Sequence, residues 1–159
     1  MISYRKGKKE DLTQVFNLIR ELAEYEKGLH EVENSVEQME TDGFGPNPLY
    51  ELFVAEYQNE IIGIGLYYYR YSTWKGKVLY IEDIVVTAKH RGKGIGKVLF
   101  DLLIKESINT NCNQMLWQVL EWNKDAINFY NKMGTRYDNE WVNCKLSREQ
   151  LNSLHIQTS

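Results

Sequence analysis

The chain has 159 residues, of which 43% are apolar and 26% are charged, and its formal net charge is −3. These values are typical of one globular domain, which we expect to span residues 1–159. The negative net charge argues against a nucleic-acid-binding protein, whose affinity depends on many lysine and arginine contacts to phosphate. No apolar run is long enough to cross a membrane, and the N-terminal sequence MISYRKGKKEDL lacks the apolar core of a signal peptide. We therefore expect no nucleic-acid or membrane partner.

The two cysteines, Cys112 and Cys144, carry little structural information. They have no metal-ligand spacing and are too few for a disulfide framework. We expect both to stay reduced, which indicates a cytoplasmic protein, and we expect no metal site.

The first half of the chain is predicted to contain a strand, two helices and a β-hairpin. Residues 2–7 predict a strand, and residues 9–28 predict an amphipathic helix whose apolar residues recur on one face. A second, acidic helix is expected around Ser35–Asp42, before the breaker-rich sequence DGFGPNP. Residues 50–57 and 61–72 flank the turn QNE and predict a β-hairpin.

The third quarter of the chain is predicted to form a strand, a helix and another strand. Residues 77–87 are rich in β-branched side chains and predict a long strand. A helix is expected over residues 96–107, and the next strand over residues 114–122. The order is therefore an antiparallel meander followed by alternating strands and helices, and we expect an α/β (mixed α+β) fold.

The last quarter is predicted from its capping residues. Asn123 is placed as the N-cap of a helix that ends before Gly134. Residues 141–147 predict a terminal strand. A short last helix is expected to begin at the capping box Ser147-x-x-Gln150.

A basic, glycine-rich sequence, RGKGIGK, occupies residues 91–97, where the strand 77–87 gives way to a helix. A P-loop requires Ser or Thr after its Gly-Lys pair, with four residues between the first Gly and that pair, and here Lys97 precedes Val98. A dinucleotide fingerprint requires G-x-G-x-x-G, whereas the glycines here follow G-x-G-x-G, so that match is weak.

The third interpretation is R-x-x-G-x-G, from Arg91 through Gly94 to Gly96. Glycines allow a diphosphate to approach the main chain, and a helix N-terminus offers unpaired N–H groups and the positive end of its dipole. Arg91, Lys93 and Lys97 add positive charge for further phosphate oxygens. The alternative is a turn that holds no ligand, and the number of basic residues favours the anion site.

The turn RGKGIG resembles the acetyl-CoA site of the GNAT superfamily of N-acetyltransferases. Five further sequence segments resemble segments of the spermidine/spermine (diamine) acetyltransferases and occur in the same order as in that family. The resemblance covers roughly residues 3 to 145. The sequence YSTWKG is more similar to the thialysine acetyltransferase-like branch. The segments are LIRELAEYEK, DGFGPNP, LFVAE, YYYRYSTWKGKVLYIEDIVV and EWNKDAINFYNKMG.

The resemblance implies the GNAT fold, in which a mixed, mostly antiparallel central sheet is flanked by helices and its strands splay around acetyl-CoA. It also implies acetyl-CoA as the co-substrate and direct transfer of the acetyl group to a primary amine in a ternary complex, without a metal. An alkylamine is mostly protonated at neutral pH, since its pKa is ~10.4. Such an enzyme must therefore bind a cation and then remove a proton.

Two residues match the family's proton-transfer positions. Glu82 matches the general base, acting through water, and the adjacent Asp83 matches a substrate acid or a supporting acid. Because side chains alternate along a strand, the two carboxylates are expected to point to opposite faces, and the plain alternative is one solvated acid and one salt-bridged acid. Tyr130 matches the general acid that protonates the leaving thiolate, and the alternative for it is a core aromatic.

The resemblance places the co-substrate against three parts of the chain. The main chain of residues 84–86 is expected to bind the pantetheine arm, with an N–H group aimed at the thioester carbonyl. The glycine turn is expected to bind the diphosphate, and the helix that follows Asn123 the other arm. The cofactor-binding residues are Ile84, Val85, Val86, Arg91, Gly92, Lys93, Gly94, Ile95, Gly96, Lys97, Asn123, Lys124, Asp125, Ala126 and Tyr130.

The acceptor pocket is expected to combine an acid with aromatic walls, which hold an ammonium by charge and by cation–π attraction. By resemblance, Tyr25, Glu26 and Trp74 line it together with Glu82 and Asp83. Ser72 stands where polyamine-acetylating relatives carry an acid, so we expect a short primary amine, an amino acid or a diamine. The alternatives for Glu26 and Trp74 are a solvated helix face and a packing residue.

The resemblance further implies a homodimer that exchanges C-terminal strands. Two other functions stay open on the sequence. One is a protein acetyltransferase that acts on a lysine or an N-terminus through a wider groove. The other is a non-catalytic acyl-CoA-binding sensor, against which the presence of Glu82 and Tyr130 argues.

Overall fold

A computed structural model describes the backbone of residues 1–158 and the side chains of residues 1–154. The chain divides into two compact units, Met1–Gln118 and Val119–Ser159. The expectation of one domain over residues 1–159 stays a prediction. No helix in the described part of the chain is both long and apolar enough to cross a membrane.

The first unit contains one five-stranded sheet, in which the strand order follows the chain order. The first four strands pair antiparallel, and the fifth pairs parallel to the fourth. The expectation of a mixed, mostly antiparallel sheet is therefore confirmed. The strands are β1 (Ser3–Lys6), β2 (Glu51–Tyr57), β3 (Glu60–Ser72), β4 (Gly76–Val86) and β5 (Gln114–Leu116).

Five α-helices accompany the sheet in sequence, three in the first unit and two in the second, over the described residues. Asn123 is an N-cap as predicted, since its side chain accepts from the Ala126 N–H at 3.2 Å. The Ser35 hydroxyl also caps a helix, and it accepts from the Gln38 N–H at 3.1 Å. The helices are α1 (Leu12–Tyr25), α2 (Val36–Phe44), α3 (Ile95–Asn109), α4 (Lys124–Asn131) and α5 (Arg148–Thr158).

Helices cover both faces of the sheet. On one face, α1 and α2 contribute Leu12, Val15 and Met39 to a core with buried residues of β2, β3 and β4. On the other face, α3 approaches β3 closely because two positions of β3 are glycines. A Cβ on Gly63 would lie 3.3 Å from side-chain atoms of α3, and one on Gly65 would lie 3.2 Å from α3, so larger residues there would push α3 away.

The hairpin between β2 and β3 forms where the sequence predicts it. Gln58 and Asn59 form the two-residue loop, and both have positive φ, at 51° and 64°. That geometry matches the right-handed twist of the two strands. The hairpin fixes the register of β2 on β3, in which Glu51 lies opposite Tyr67.

Two predicted strands differ from the structure. The strand expected over residues 114–122 is confined to Gln114–Leu116, which pair with Val78–Tyr80 of β4 before the chain leaves the sheet. Residues 141–147 form no strand, so that prediction is wrong. Both segments have apolar side chains suited to a strand, but within the described residues no neighbouring strand supplies their hydrogen bonds.

Candidate functional site

The glycine turn between β4 and α3 has the backbone that the sequence predicts for an anion site. Gly92 and Gly94 have φ of 74° and 79°, the left-handed region that favours glycine. A Cβ built on either residue would have no heavy atom within 4 Å, so the space beside the turn is open. Gly94 immediately precedes α3, whose first N–H groups have no partner within the helix. The turn can therefore present main-chain donors to a phosphate.

The basic side chains of this turn are held in different ways. The Arg91 Nε donates to the Val86 carbonyl at 2.9 Å, and its guanidinium lies 5.3 Å from the centre of the Tyr25 ring. Lys97 pairs with Asp101 of α3 at 2.7 Å. Lys93 forms no ion pair among the residues whose side chains are described. Tyr25, expected in the acceptor pocket, thus lies against an arginine of the predicted phosphate turn.

Glu21 of α1 connects to the same turn, and the sequence analysis missed it. Its Oε1 accepts from the Ala88 N–H at 2.8 Å and lies 3.7 Å from an Arg91 nitrogen. Its position one helical turn before Tyr25 is the sequence feature that could have revealed it, because residues four apart share a helix face. Through Glu21 and Tyr25, the C-terminal half of α1 supports the segment after β4.

One edge of β4 has no strand beside it over its second half, among the described residues. Strand β3 pairs with β4 from Gly76 to Val86, whereas β5 pairs only with Val78–Tyr80. The main chain of Ile84–Val86, predicted to bind the pantetheine arm, lies in this part of β4. An extended amide-containing chain can add to such an edge by strand-like hydrogen bonds.

A β-bulge lies in β4 at the two predicted acids. Ile81 pairs with Tyr67 and Asp83 pairs with Leu66, which leaves Glu82 as an extra residue between them. Bulges often re-aim side chains next to active sites. The bulge breaks the strict alternation expected of Glu82 and Asp83. The charges of Glu82 and of Glu26, which follows α1, both raise the pKa of Asp83.

Asp83 is the most perturbed carboxyl group near this edge. Its pKa is raised to about 7, chiefly by burial and then by the negative charges of Glu82 and Glu26. Burial also raises the pKa of Glu26, which follows the last residue of α1. The three carboxylates that the sequence assigned to the acceptor pocket are therefore brought together, and their mutual repulsion suits a site that receives a cation.

Aromatic residues extend this acidic region along the sheet. Tyr68 and Tyr80 lie opposite each other on β3 and β4, with ring centres 5.2 Å apart. Burial raises the pKa of Tyr68, and so do the charge of Glu82 and a hydrogen bond with it. The sequence analysis missed both tyrosines, because it predicted no register between β3 and β4.

A cavity of about 280 Å³ opens beside this pair. It lies between the segment 48–51, which precedes and begins β2, and Tyr67–Tyr69 of β3. Tyr68 lines the cavity and also reaches Glu82, so a ligand in the cavity would contact the acidic region through this side chain.

Ser72 and Trp74, both assigned to the acceptor pocket, lie at the tip of the hairpin between β3 and β4. The Ser72 hydroxyl accepts from the Trp74 and Lys75 N–H groups at 3.3 and 3.1 Å, so it shapes the turn. The Trp74 side chain is 82% exposed and does not join the carboxylates of Glu26 and Asp83. Its role in acceptor binding stays a prediction.

In the second unit, α4 carries the remaining predicted residues. Asn123 caps α4, so the helix begins at Lys124–Ala126, the residues predicted to touch the co-substrate. Tyr130 lies in the last turn of α4, half-buried, with its ring 5.3 Å from that of Phe129. The roles of these residues stay predictions.

No group of three or more His, Cys, Asp or Glu side chains among the described residues is arranged to hold a metal ion. Both cysteines, Cys112 and Cys144, are free thiols.

Comparison with known proteins identifies the fold and the family. Residues 12–135 match the model of the acetyltransferase (GNAT) family. The chain is 37% identical to the thialysine N-epsilon-acetyltransferase of Mus musculus over 161 aligned positions, which cover 94% of this chain and 95% of that protein. It is 34% identical to spermidine/spermine N(1)-acetyltransferase-like protein 1 of Homo sapiens, over 92% of this chain and 23% of that protein.

A solved structure has the same fold. It is an integron cassette protein from the mobile metagenome of V. cholerae, with a TM-score of 0.79, 22% identity and coverage of 97% of each chain. At that identity the likeness concerns the fold alone.

Proposed function

We propose, since this chain belongs to the acetyltransferase (GNAT) family, that it acetylates the primary amine of a small cationic molecule. The chain is an acetyl-CoA-dependent N-acetyltransferase, and the new element is the acceptor class. The observation that carries the proposal is the group of carboxylates at Glu26, Glu82 and Asp83, beside the unpaired edge of β4. A site that concentrates negative charge in a partly buried place favours a compact cation over a neutral acceptor.

The open backbone of the glycine turn supports the proposed place of the co-substrate. Gly92, Gly94 and the first N–H groups of α3 would bind the diphosphate, with Arg91 and Lys93 as cationic partners. The main chain of Ile84–Val86 would bind the pantetheine arm at the unpaired edge. When bound there, acetyl-CoA supplies an activated acetyl thioester. The remaining predicted contacts, Asn123–Ala126 and Tyr130, belong to α4.

The proposed proton transfers use side chains of this chain. An ammonium bound between Glu82 and Asp83 must lose a proton before its nitrogen becomes a nucleophile. Glu82 accepts that proton through water, and Asp83, whose pKa of about 7 lies near the working pH, holds the substrate charge and buffers the step. Tyr130 donates a proton to the leaving sulfur.

The acceptor is proposed to be a short amine. The Mus musculus relative is named for acetylation of the epsilon amine of thialysine, and it aligns with this chain over nearly its whole length. Ser72 provides no charge for a distal ammonium, and its hydroxyl is engaged by the hairpin turn. A long polyamine, which carries several ammonium groups, is therefore a weaker candidate than thialysine, lysine or a short diamine.

We also propose a cytoplasmic homodimer. In the second unit, Trp141 and Val142 are 73% and 84% exposed, and Leu146, Leu151 and Leu154 are about half exposed. So many exposed apolar side chains in one segment are typical of an interface, and a second copy of the chain is the proposed partner. Sedimentation velocity would give the mass of a dimer, and Trp141→Ser with Val142→Ser would shift it toward the monomer.

The experiment that tests the proposed function is an amine panel. Release of free CoA thiol is measured with thialysine, lysine, putrescine, spermidine and a lysine-containing peptide at fixed acetyl-CoA. We expect the highest kcat/KM for a short amine and a lower value for spermidine. Tight binding of acetyl-CoA with no turnover of any amine would contradict the proposal, and a preference for the peptide would replace it with protein acetylation.

A further inference from the structure

Tyr68 and Tyr80 lie between the carboxylate of Glu82 and an arginine, Arg70, and these two tyrosines are called the aromatic row below. Arg70 is two residues after Tyr68 on β3, so both side chains project from the same face of the sheet. The guanidinium carbon lies 5.5 Å from the centre of the Tyr80 ring. The positive charge also favours ionised Tyr68 and Tyr80, which opposes the effect of Glu82 on the pKa of both hydroxyls. Glu82 and Arg70 therefore act on the same two rings with opposite charge.

The Arg70 guanidinium is available to a ligand. Its side chain is exposed, and it forms no ion pair with any residue whose side chain is described. Arg5 and Arg91 differ in this respect, since Arg5 binds Asp11 and Arg91 lies beside Glu21. An unpaired guanidinium over an aromatic ring is a common recognition group for carboxylates.

Along this part of the sheet, the negative carboxylate of Glu82 is therefore followed by the rings of the aromatic row and then by the positive guanidinium of Arg70. We infer that Arg70 binds the α-carboxylate of the acceptor and selects an amino acid whose side chain ends in a primary amine. This inference rests on the proposed transfer of acetyl to a small amine, and it names the acceptor class. The terminal amine lies at Glu82 and Asp83, and the aliphatic or thioether stem lies across Tyr68 and Tyr80.

The dimensions of the row agree with such a molecule. Arg70 pairs with Val78, which lies four residues before Glu82 on β4. With a strand rise of about 3.3 Å per residue, the Cα atoms of Glu82 and Arg70 are on the order of 12 Å apart. Six bonds join the terminal nitrogen of thialysine to its carboxyl carbon, and they span about 7 Å when extended. A hydrogen bond of about 2.8 Å at each end accounts for the remaining distance.

The same arrangement disfavours diamines and polyamines. A second ammonium would lie near the Arg70 guanidinium, where like charges repel. Ser72, the next residue of β3 on the same face, carries no acid to offset that repulsion. The positive charge at Arg70 and the neutral side chain at Ser72 thus act in the same direction, toward an acceptor with a carboxylate at its distal end.

The test compares two acceptors that differ only in that charge, L-thialysine and L-thialysine amide, which keeps both amines. The proteins are the wild type, Arg70→Gln, Arg70→Lys and a control, Lys75→Gln, which removes a positive charge from the exposed hairpin tip. We expect the wild type to prefer thialysine over its amide. In Arg70→Gln, kcat/KM for thialysine should fall about 5- to 50-fold, mainly through KM, as expected for loss of a charge-assisted hydrogen bond. Arg70→Lys should restore part of it.

The Lys75→Gln control and the amide distinguish a failure of the role of Arg70 from a failure of the proposed amine acetylation. Turnover of the amide should stay within about twofold in Arg70→Gln, and Lys75→Gln should leave the preference for thialysine unchanged. An equal loss for both acceptors, an equal loss in Lys75→Gln, or a wild type that uses both acceptors equally would overturn the role of Arg70 and leave the proposed function standing. A wild type that acetylates no amine would overturn the proposed function and this inference together.

Discussion

Asp83 lies where burial and two neighbouring carboxylates oppose its ionisation, and in the proposed mechanism this lets one site bind a cation and take part in proton transfer. Burial is the largest cause of its raised pKa of about 7, followed by the charges of Glu82 and Glu26. An arriving ammonium offsets those negative charges and so lowers the pKa of Asp83. Binding of the acceptor is thereby coupled to ionisation of the site.

The first prediction at this scale concerns pH. Because Asp83 must ionise to hold an ammonium, kcat/KM of the wild type should rise as the pH increases through about 7. Glu82→Gln removes a negative charge that raises the pKa of Asp83, so this limb should move to lower pH while the maximum rate falls. Asp83→Asn should abolish the limb. Initial rates from pH 5.5 to 9 measure all three.

The exposed Glu31→Gln provides the control, since it lies outside the carboxylate group and should leave the profile unchanged. A profile of Glu82→Gln that coincides with the wild type in both position and height would remove Glu82 from the mechanism. A limb that persists in Asp83→Asn would assign the titration to another group.

The second prediction concerns Tyr130. Tyr130→Phe removes only the hydroxyl proton, so kcat should fall roughly 10- to 1000-fold while the affinity for acetyl-CoA stays nearly constant. Tyr71→Phe is the matched control, because Tyr71 is 79% exposed on β3 and has no assigned role. Pre-steady-state thiol release and a binding titration check the two quantities. Full activity of Tyr130→Phe would show that the leaving thiolate needs no proton from this residue.

At the scale of elements, the C-terminal half of α1 supports two regions at once. Glu21 accepts from the Ala88 N–H and Tyr25 lies under Arg91, so this helix holds the segment that leads into the glycine turn. Glu26, one residue beyond the helix, raises the pKa of Asp83 on β4. The proposed sites of the co-substrate and of the acceptor therefore depend on the same helix end.

Glu21→Ala should weaken binding of the co-substrate and leave binding of the acceptor unchanged. The loss of a hydrogen bond to Ala88 and of a charge beside Arg91 predicts a 3- to 30-fold higher KM for acetyl-CoA, with KM for the amine nearly unchanged. Glu21→Gln keeps an acceptor for the N–H and should fall between the wild type and Glu21→Ala. Glu24→Ala, an exposed residue of the same helix, is the control. Equal acetyl-CoA KM values in all four proteins would mean that Glu21 does not position the turn.

The elements also show what sequence patterns can predict. The β2–β3 hairpin loop, the Asn123 N-cap and the glycine turn depend on nearby residues, and local chemistry located each of them correctly. The bulge at Glu82 and the early end of β5 at Leu116 depend on pairing with distant strands. Pairing between distant strands leaves no local pattern in the sequence. The sequence analysis therefore assumed that side chains alternate strictly along β4, and the bulge at Glu82 breaks that alternation.

At the scale of the whole molecule, a partly buried ion pair connects β1 to the residue that precedes α1. The Arg5 guanidinium of β1 donates to both carboxylate oxygens of Asp11 at 2.6 and 2.8 Å, and also to Glu56 of β2 at 2.8 Å. The Lys8 N–H donates to Asp11 as well, at 2.8 Å. The hydrogen bonds from Arg5 are the largest cause of the lowered pKa of Asp11.

This ion pair predicts a pH-dependent part of the stability. Because the pKa of Asp11 is lower in the folded chain than its ordinary value of 3.8, the stabilisation is present above about pH 4 and is lost as the pH falls further. Asp11→Asn should lower the free energy of unfolding at pH 7 by roughly 2–4 kcal/mol, since it leaves Arg5 partly unpaired. Urea denaturation at pH 7 and pH 3 measures the loss and its decrease in acid.

The exposed pair Lys97–Asp101 serves for comparison, and Asp101→Asn should change the free energy of unfolding by at most about 0.5 kcal/mol. A similar effect of both variants at pH 7 would mean that the Arg5–Asp11 pair contributes no more than a surface pair.

The site as a whole was predictable only in part. The acids and the glycine turn were recognisable because their residue types are unusual where they occur, within an apolar strand and at a helix start. Tyr68, Tyr80 and Arg70 lie in a tyrosine-rich strand that packing alone explains, so their shared face became visible only with the register of β3 on β4. Glu21 was missed for the same reason, since an acid on an amphipathic helix is normally solvated.

The central claim is that the glycine turn binds the diphosphate of acetyl-CoA and so positions its acetyl group at the edge of β4. Calorimetric titration of the wild type and of Gly94→Val with acetyl-CoA tests it most directly, with circular dichroism to verify that both are folded. We expect the wild type to bind one acetyl-CoA per chain with a Kd on the order of 1–100 μM. The affinity of Gly94→Val should be at least about tenfold lower, since valine disfavours the φ of 79° and fills the open space. No binding by the wild type, or equal affinity of the two proteins, would contradict the account.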